Sequence, residues 1–295
     1  MKQSAIGWCD YSGGNLNFVT GCTPVSAGCV NCYARSIYER FGKDFSRVQV
    51  HPDKLARLAK QRFGVPVHLN NGAVEYVSPK RGGHRPMCFP VDMGDLFHED
   101  VPDAFIMEAL TVMLHRPDVI WQVLTKRPER MRAHLHEYWR DTGDGALVPM
   151  PNIWFGVTAE NQAMADERIP ILLDTPAAVR WVSVEPMLGP VRLNDGYSSW
   201  LTCTDTQEYH DYEDSDHECC ESFAMGCGHF HGIDWVVCGG ESGANRRPFD
   251  TAWAVALYEE CRQSGTPYFF KQSGALKPGT GAVLPGVGVV QEWPA

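Results

Sequence analysis

Six short apolar runs punctuate the chain, at residues 87–91, 119–124, 153–157, 179–184, 235–238 and 268–270, each rich in β-branched or aromatic side chains. Between them the apolar positions switch to a helical period. Phe105, Ile106, Ala109, Leu110, Val112 and Met113 share a face over 102–115, as do Met131, Leu135, Tyr138 and Trp139 over 128–139. Helices are expected also over 161–173 and over 251–264, where Gly265 offers a C-cap, and ahead of the first run over 32–41 and 51–63. Strand then helix, repeated, predicts parallel strands covered by helices. The expected fold is therefore α/β, an incomplete TIM-like (β/α) barrel of six or seven units.

The spacing of strand starts is even except from 179 to 235, where it nearly doubles. Residues 195–232 accordingly read as an acidic, Cys/His-rich insertion into one domain spanning 1–273, with 274–295 a Gly- and Pro-rich tail expected to be poorly ordered. The insertion offers Cys203, Cys219 or Cys220, Cys227 and His229 or His231 as a zinc knuckle. A second iron–sulfur cluster and no metal at all are the alternatives.

Charge follows the same division. The net charge is −10, yet no Lys or Arg lies between Arg192 and Arg246, while eleven Asp and Glu do. The rest of the chain carries 26 basic against 25 acidic residues. A local basic surface, and with it a nucleic-acid partner, is therefore not excluded. No run of 18 apolar residues occurs and no signal peptide is visible, which predicts a cytoplasmic protein without a membrane partner. In that compartment eleven cysteines read as thiols and metal ligands rather than as a disulfide framework.

Three of those cysteines stand in one loop. Cys22 and Cys29 have six residues between them and Cys29 and Cys32 have two, with Gly21, Pro24 and Gly28 to bend the backbone. Such a set suits an iron–sulfur cubane with one iron left open, or a structural zinc with Cys9 as fourth ligand. Polar residues also follow every apolar run. Asp95, Lys126, Glu160, Asn161, Glu185, Gly239, Gly240, Glu241 and Lys271 fall where strands of a parallel sheet end, the usual rim for a ligand, and are expected to bind cofactor or substrate. The plainer alternative for any one of them is a helix cap or a rim ion pair.

The wording of these blocks is similar to a known family. Trp8, Val19-Thr-Gly-Cys22 and Gly28-Cys-Val-Asn-Cys-Tyr-Ala34, with further blocks at 93–102, 123–131, 156–162, 184–190, 239–243 and 269–272, resemble a phage-associated radical SAM-like family with an N-terminal three-cysteine motif. The resemblance implies a 4Fe-4S cluster on Cys22, Cys29 and Cys32, and S-adenosylmethionine chelating its open iron. Reductive cleavage to a 5′-deoxyadenosyl radical and hydrogen abstraction from a substrate would follow. It also implies an electron donor such as flavodoxin or ferredoxin, and a substrate such as a modified thymine nucleotide or base in phage DNA. Two departures stand out: common radical SAM enzymes have three residues between the first two cysteines, and their Gly-Gly-Glu motif follows an early strand rather than a late one. Two other functions remain open: a zinc-stabilised nucleic-acid-binding protein without catalysis, and a metal-dependent hydrolase or lyase using the rim carboxylates.

Overall fold

In the computed structural model, which describes residues 3–141, 149–194, 199–201 and 232–294, the chain opens with a small antiparallel pair. β1 (Val19–Thr20) lies against β2 (Gln49–Val50), and the cysteine loop and α1 (Tyr33–Arg40) run between them. α2 (Pro52–Leu58) carries Pro52 in its first turn, where the missing N–H is not needed, and stops at Leu58, short of the expected residue 63. Residues 64–86 are less regular in sequence. They contain the hairpin β3 (Val65–His68) and β4 (Val74–Val77), whose turn chemistry is Asn71-Gly72.

The repeating part follows as β5 (Met87–Cys88), α3 (Asp103–Leu114), β6 (Ile120–Thr125), α4 (Pro128–Asp141), β7 (Ile153–Thr158), α5 (Gln162–Leu173), β8 (Arg180–Val184), β9 (Trp235–Gly239), α6 (Thr251–Ser264) and β10 (Tyr268–Gln272). β5 to β10 lie side by side in chain order, all parallel, in one sheet curled into half a barrel. The first strand is shorter than its apolar run, because Phe89 and Val91 turn away to donate backbone bonds to Tyr11 and Leu16. The connection from β8 to β9 contains residues outside the described set, among them Cys203, Cys219 and Cys227 with the zinc expectation attached to them.

Side-chain alternation along the strands divides the sheet into two faces. Val123, Phe155, Val157, Val182, Val236 and Phe270 pack under the helices, against Leu110, Met131, Ile169 and Leu257. The alternate positions Met87, Ile120, Trp154, Trp181, Trp235 and Phe269 point to the concave side, which Trp8 enters from the N-terminal segment. Trp8 lies 5.2 Å from Trp181 and 6.2 Å from Trp235, ring centre to ring centre, and the two strand tryptophans are 5.4 Å apart. Gly156 makes room for them: a Cβ there would sit 2.5 Å from the Trp181 indole.

Both sheet edges are covered. Tyr11 bridges Cys88 beside β5, and Gln291 bridges Phe269 beside β10. Residues 284–293 thus return along the last strand instead of trailing off. Leu284 and Val290 are buried, and Trp293 packs 5.1 Å from Phe269 while donating to the Trp8 carbonyl at 3.2 Å. An edge occupied by the chain's own backbone is closed to pairing with another sheet.

Candidate functional site

The cysteine loop lies across the end of the half-barrel to which all six strands point. It leaves β1 at Gly21, whose N–H donates to the Met93 carbonyl and whose φ of +89° suits only glycine; a Cβ there would meet the Arg47 carbonyl at 2.3 Å. A short turn, Ala27–Cys29, and Cys32 as N-cap of α1 complete it. Cys22, Cys29 and Cys32 are free thiols, each partly exposed.

Side chains from three strand ends and the β5–α3 connection hold this loop. Arg127, after β6, donates to the Thr23 carbonyl at 3.2 Å and to the Cys22 sulfur at 3.5 Å. Asp95 and Glu99 steady that guanidinium at 3.2 and 2.8 Å, and Asp95 also accepts from Thr125 at 2.7 Å. Glu160, after β7, accepts from the Gly28 N–H at 2.8 Å, and Gly28 allows that approach because a Cβ would stand 3.0 Å from the carboxylate. Its other oxygen pairs with Arg168 of α5 at 3.2 Å, with both side chains buried. Glu241, after β9, accepts from Asn31 at 2.9 Å and is gripped by Arg247, which donates in turn to the Ala27 carbonyl at 3.0 Å.

These bonds set the local electrostatics. Burial pushes the Glu160 and Glu241 carboxyls up, but their hydrogen-bond donors outweigh it and hold both below the usual value. Burial and the neighbouring Asp95 push the Cys22 thiol up to about 11 against the pull of Arg127. At Cys29 burial also raises, yet backbone donation from Val25 and the charge of Lys126 win and leave the thiol below its ordinary value. Two thiols of the loop are therefore shifted in opposite directions, Cys29 down and Cys22 up.

Among the described residues a second set of strand-end side chains makes its hydrogen bonds and ion pairs away from the loop. Lys126 reaches Thr158 at 3.3 Å. Glu185, at the end of β8 before a cis peptide to Pro186, accepts from the Trp8 indole at 3.1 Å and pairs with Lys271 of β10 at 3.0 Å. Glu185 and Lys271 continue the concave register of Trp181 and Phe269, so the two side chains stand above the aromatic floor.

Three expected binding residues have another reason to be where they are. Asn161 caps α5, accepting from the Met164 N–H at 3.0 Å, so the plainer alternative is the one found. A Cβ at Gly239 would meet Glu185 at 2.8 Å, and one at Gly240 the Gly274 nitrogen at 2.8 Å. Neighbours in the fold thus give both glycines a structural reason. Arg168, Arg247, Asn31 and Trp8 add to the expected binding residues. Trp8 and Asn31 stand in the blocks that carry the resemblance, and Arg168 shows as a cation on the same helical face as Ala165, Ile169 and Leu172.

Among the described residues no three Cys, His, Asp or Glu side chains converge closely enough to hold a metal ion. Cys9, the expected fourth zinc ligand, is buried in the aromatic packing, where desolvation pushes its thiol up to about 12. A cubane differs in that each thiolate binds a different iron, so its ligands need not meet at one point. Three free thiols in one braced loop, with Arg127 and Lys126 beside them to offset thiolate charge, fit such a group in donor chemistry. A cavity of about 420 Å³ lined by Arg62, Phe63, Val74, Tyr76 and Asp118 lies at the other end of the strands and holds none of these residues.

The family described as "Protein of unknown function (DUF5131)" matches residues 3–284, and the chain belongs to it. No curated protein and no solved structure matches. Among the described residues no helix is long and apolar enough to cross a membrane.

Proposed function

Starting from membership of a family whose description assigns no activity, we propose that this chain is a radical SAM enzyme on an incomplete TIM-like barrel. In this reading Cys22, Cys29 and Cys32 hold a 4Fe-4S cluster. The supporting observation is the bracing of a three-thiol loop, by Arg127, Glu160, Glu241 and Arg247, across the C-terminal end of a parallel half-barrel. Bound there, the cluster and S-adenosylmethionine supply one-electron cleavage and a hydrogen-abstracting radical.

The chain's own residues do the remaining work. Lys126 and Lys271 offer cations to the carboxylate of S-adenosylmethionine or to an anionic substrate. Glu185, oriented by the Trp8 indole, offers an acceptor to an amine or hydroxyl. Trp8, Trp181 and Trp235 close the floor to water, which a radical reaction requires. The substrate class is a modified thymine nucleotide or base, and a flavodoxin or ferredoxin is the class of electron donor.

The test is anaerobic purification with iron and sulfide analysis and an EPR spectrum of the reduced protein. About four irons per chain are expected. The spectrum should change on adding S-adenosylmethionine and be absent in Cys29→Ala. Zinc alone, with no cluster after anaerobic reconstitution, overturns the reading.

A further inference from the structure

One face beside the loop is built unlike the rest of the surface. Val30, Tyr33, Ile37 and Phe41 recur at helical spacing along α1 and its entry, and they are 66%, 52%, 37% and 70% exposed. A stripe at that spacing on an amphipathic helix normally turns inward. Here Ala34 alone of α1 is buried, and the stripe faces out.

The charge around it is equally out of keeping. Residues 20–62 carry eight Lys and Arg against three Asp and Glu, in a chain whose net charge is −10. Arg40, Lys43 and Arg47 are exposed, and neither they nor Arg35 form an ion pair among the described residues. Exposed cations without ion pairs set up a local positive field that favours an anion.

We propose that the outer face of α1, with Phe41 and the ring of Tyr33, whose hydroxyl donates to the Asp92 carbonyl, as stacking platforms and Arg40, Lys43 and Arg47 as phosphate contacts, binds single-stranded nucleic acid. Aromatic rings alternating with cations are the two elements that such binding combines: rings stack on any base, and cations track the backbone. An acidic protein would use the cations but has no particular need of exposed rings. Tyr33 directly follows Cys32, so a strand held along α1 runs past the mouth of the half-barrel. The inference stands apart from the radical reading, because the exposed rings and cations it rests on are present without any cluster.

The experiment is fluorescence anisotropy with the full-length chain and a labelled oligothymidylate of about 20 nucleotides. Three phosphate contacts, at a slope of about −0.7 each, predict that affinity falls about 20-fold between about 50 and 200 mM salt. Phe41→Ala should weaken binding about tenfold with the salt slope kept. Arg40→Glu with Lys43→Glu should weaken it and lower the slope by about 1.4. Both variants alter exposed side chains, so far-UV circular dichroism should match the parent. No binding at low salt, or binding that is unchanged in both variants, overturns the proposal. Measuring iron-loaded and iron-free protein side by side separates its failure from failure of the radical reading.

Discussion

The two ends of the concave face are built on opposite rules. At the floor, Trp8, Trp154, Trp181, Trp235 and Phe269 touch ring to ring. At the mouth, a few residues farther along the same strands, charged side chains gather and every one of the loop-holding groups has a named partner. The floor is held by volume and the mouth by geometry. A floor of that kind tolerates no added atom. The mouth tolerates any change that leaves no buried charge alone.

The sharpest way to break this contrast is Arg168→Met. It strands the buried Glu160 carboxylate, and breaking such a pair costs about 3–5 kcal/mol. Urea denaturation of metal-free protein checks it. A cost under about 1 kcal/mol would mean that the mouth is not braced through Glu160 at all. Next in size, Gly156→Ala pushes a methyl into the Trp181 ring and should cost about 1–3 kcal/mol by overpacking. By contrast Lys271→Met should change stability by less than about 1 kcal/mol, since its pairing with Glu185 is partly exposed. The same variant should abolish the EPR change caused by S-adenosylmethionine. That separation of stability from ligand response is what distinguishes the residues facing the concavity from those holding the loop.

Acidity tests the loop-holding set in another way. Glu160 and Glu241 have folded pKa values below the usual 4.5, so their stabilisation is complete above that value and is lost as pH falls through it toward the folded values. The urea midpoint should therefore drop below about pH 4.5, and the drop should shrink in Glu241→Gln. The smallest effect is kinetic: in metal-free protein near neutral pH, Cys29 should alkylate at least about tenfold faster than Cys22, read by mass spectrometry. Lys126→Met should narrow the gap, because Lys126 helps to hold the Cys29 thiol down.

Much of the frame was legible from periodicity. The six strands and the helices between them follow from runs whose alternation and 3.6-residue faces survive folding. What escaped was set by partners distant in sequence. The hairpin β3–β4 is exposed on most of its positions, so its short alternation of Val65, Val67 and Leu69 marks no core face. Polar residues after strands gave one signal for two purposes. Asp95, Glu160 and Glu241 hold the loop, Lys126, Glu185 and Lys271 face the concavity, and only spatial neighbours such as Arg168 and Arg247 tell them apart.

The bond from Trp293 to the Trp8 carbonyl joins residues 285 positions apart and gives the protein a timetable. As the chain leaves the ribosome, the three thiols emerge early and then wait. Arg127, Glu160 and Glu241 arrive one after another, and Arg247 and the floor-closing tryptophan come last. Domains that fold during synthesis do so as units. The half-barrel is complete only once residues 284–293 are out, so until then the three thiols stand without all of the side chains that hold their loop.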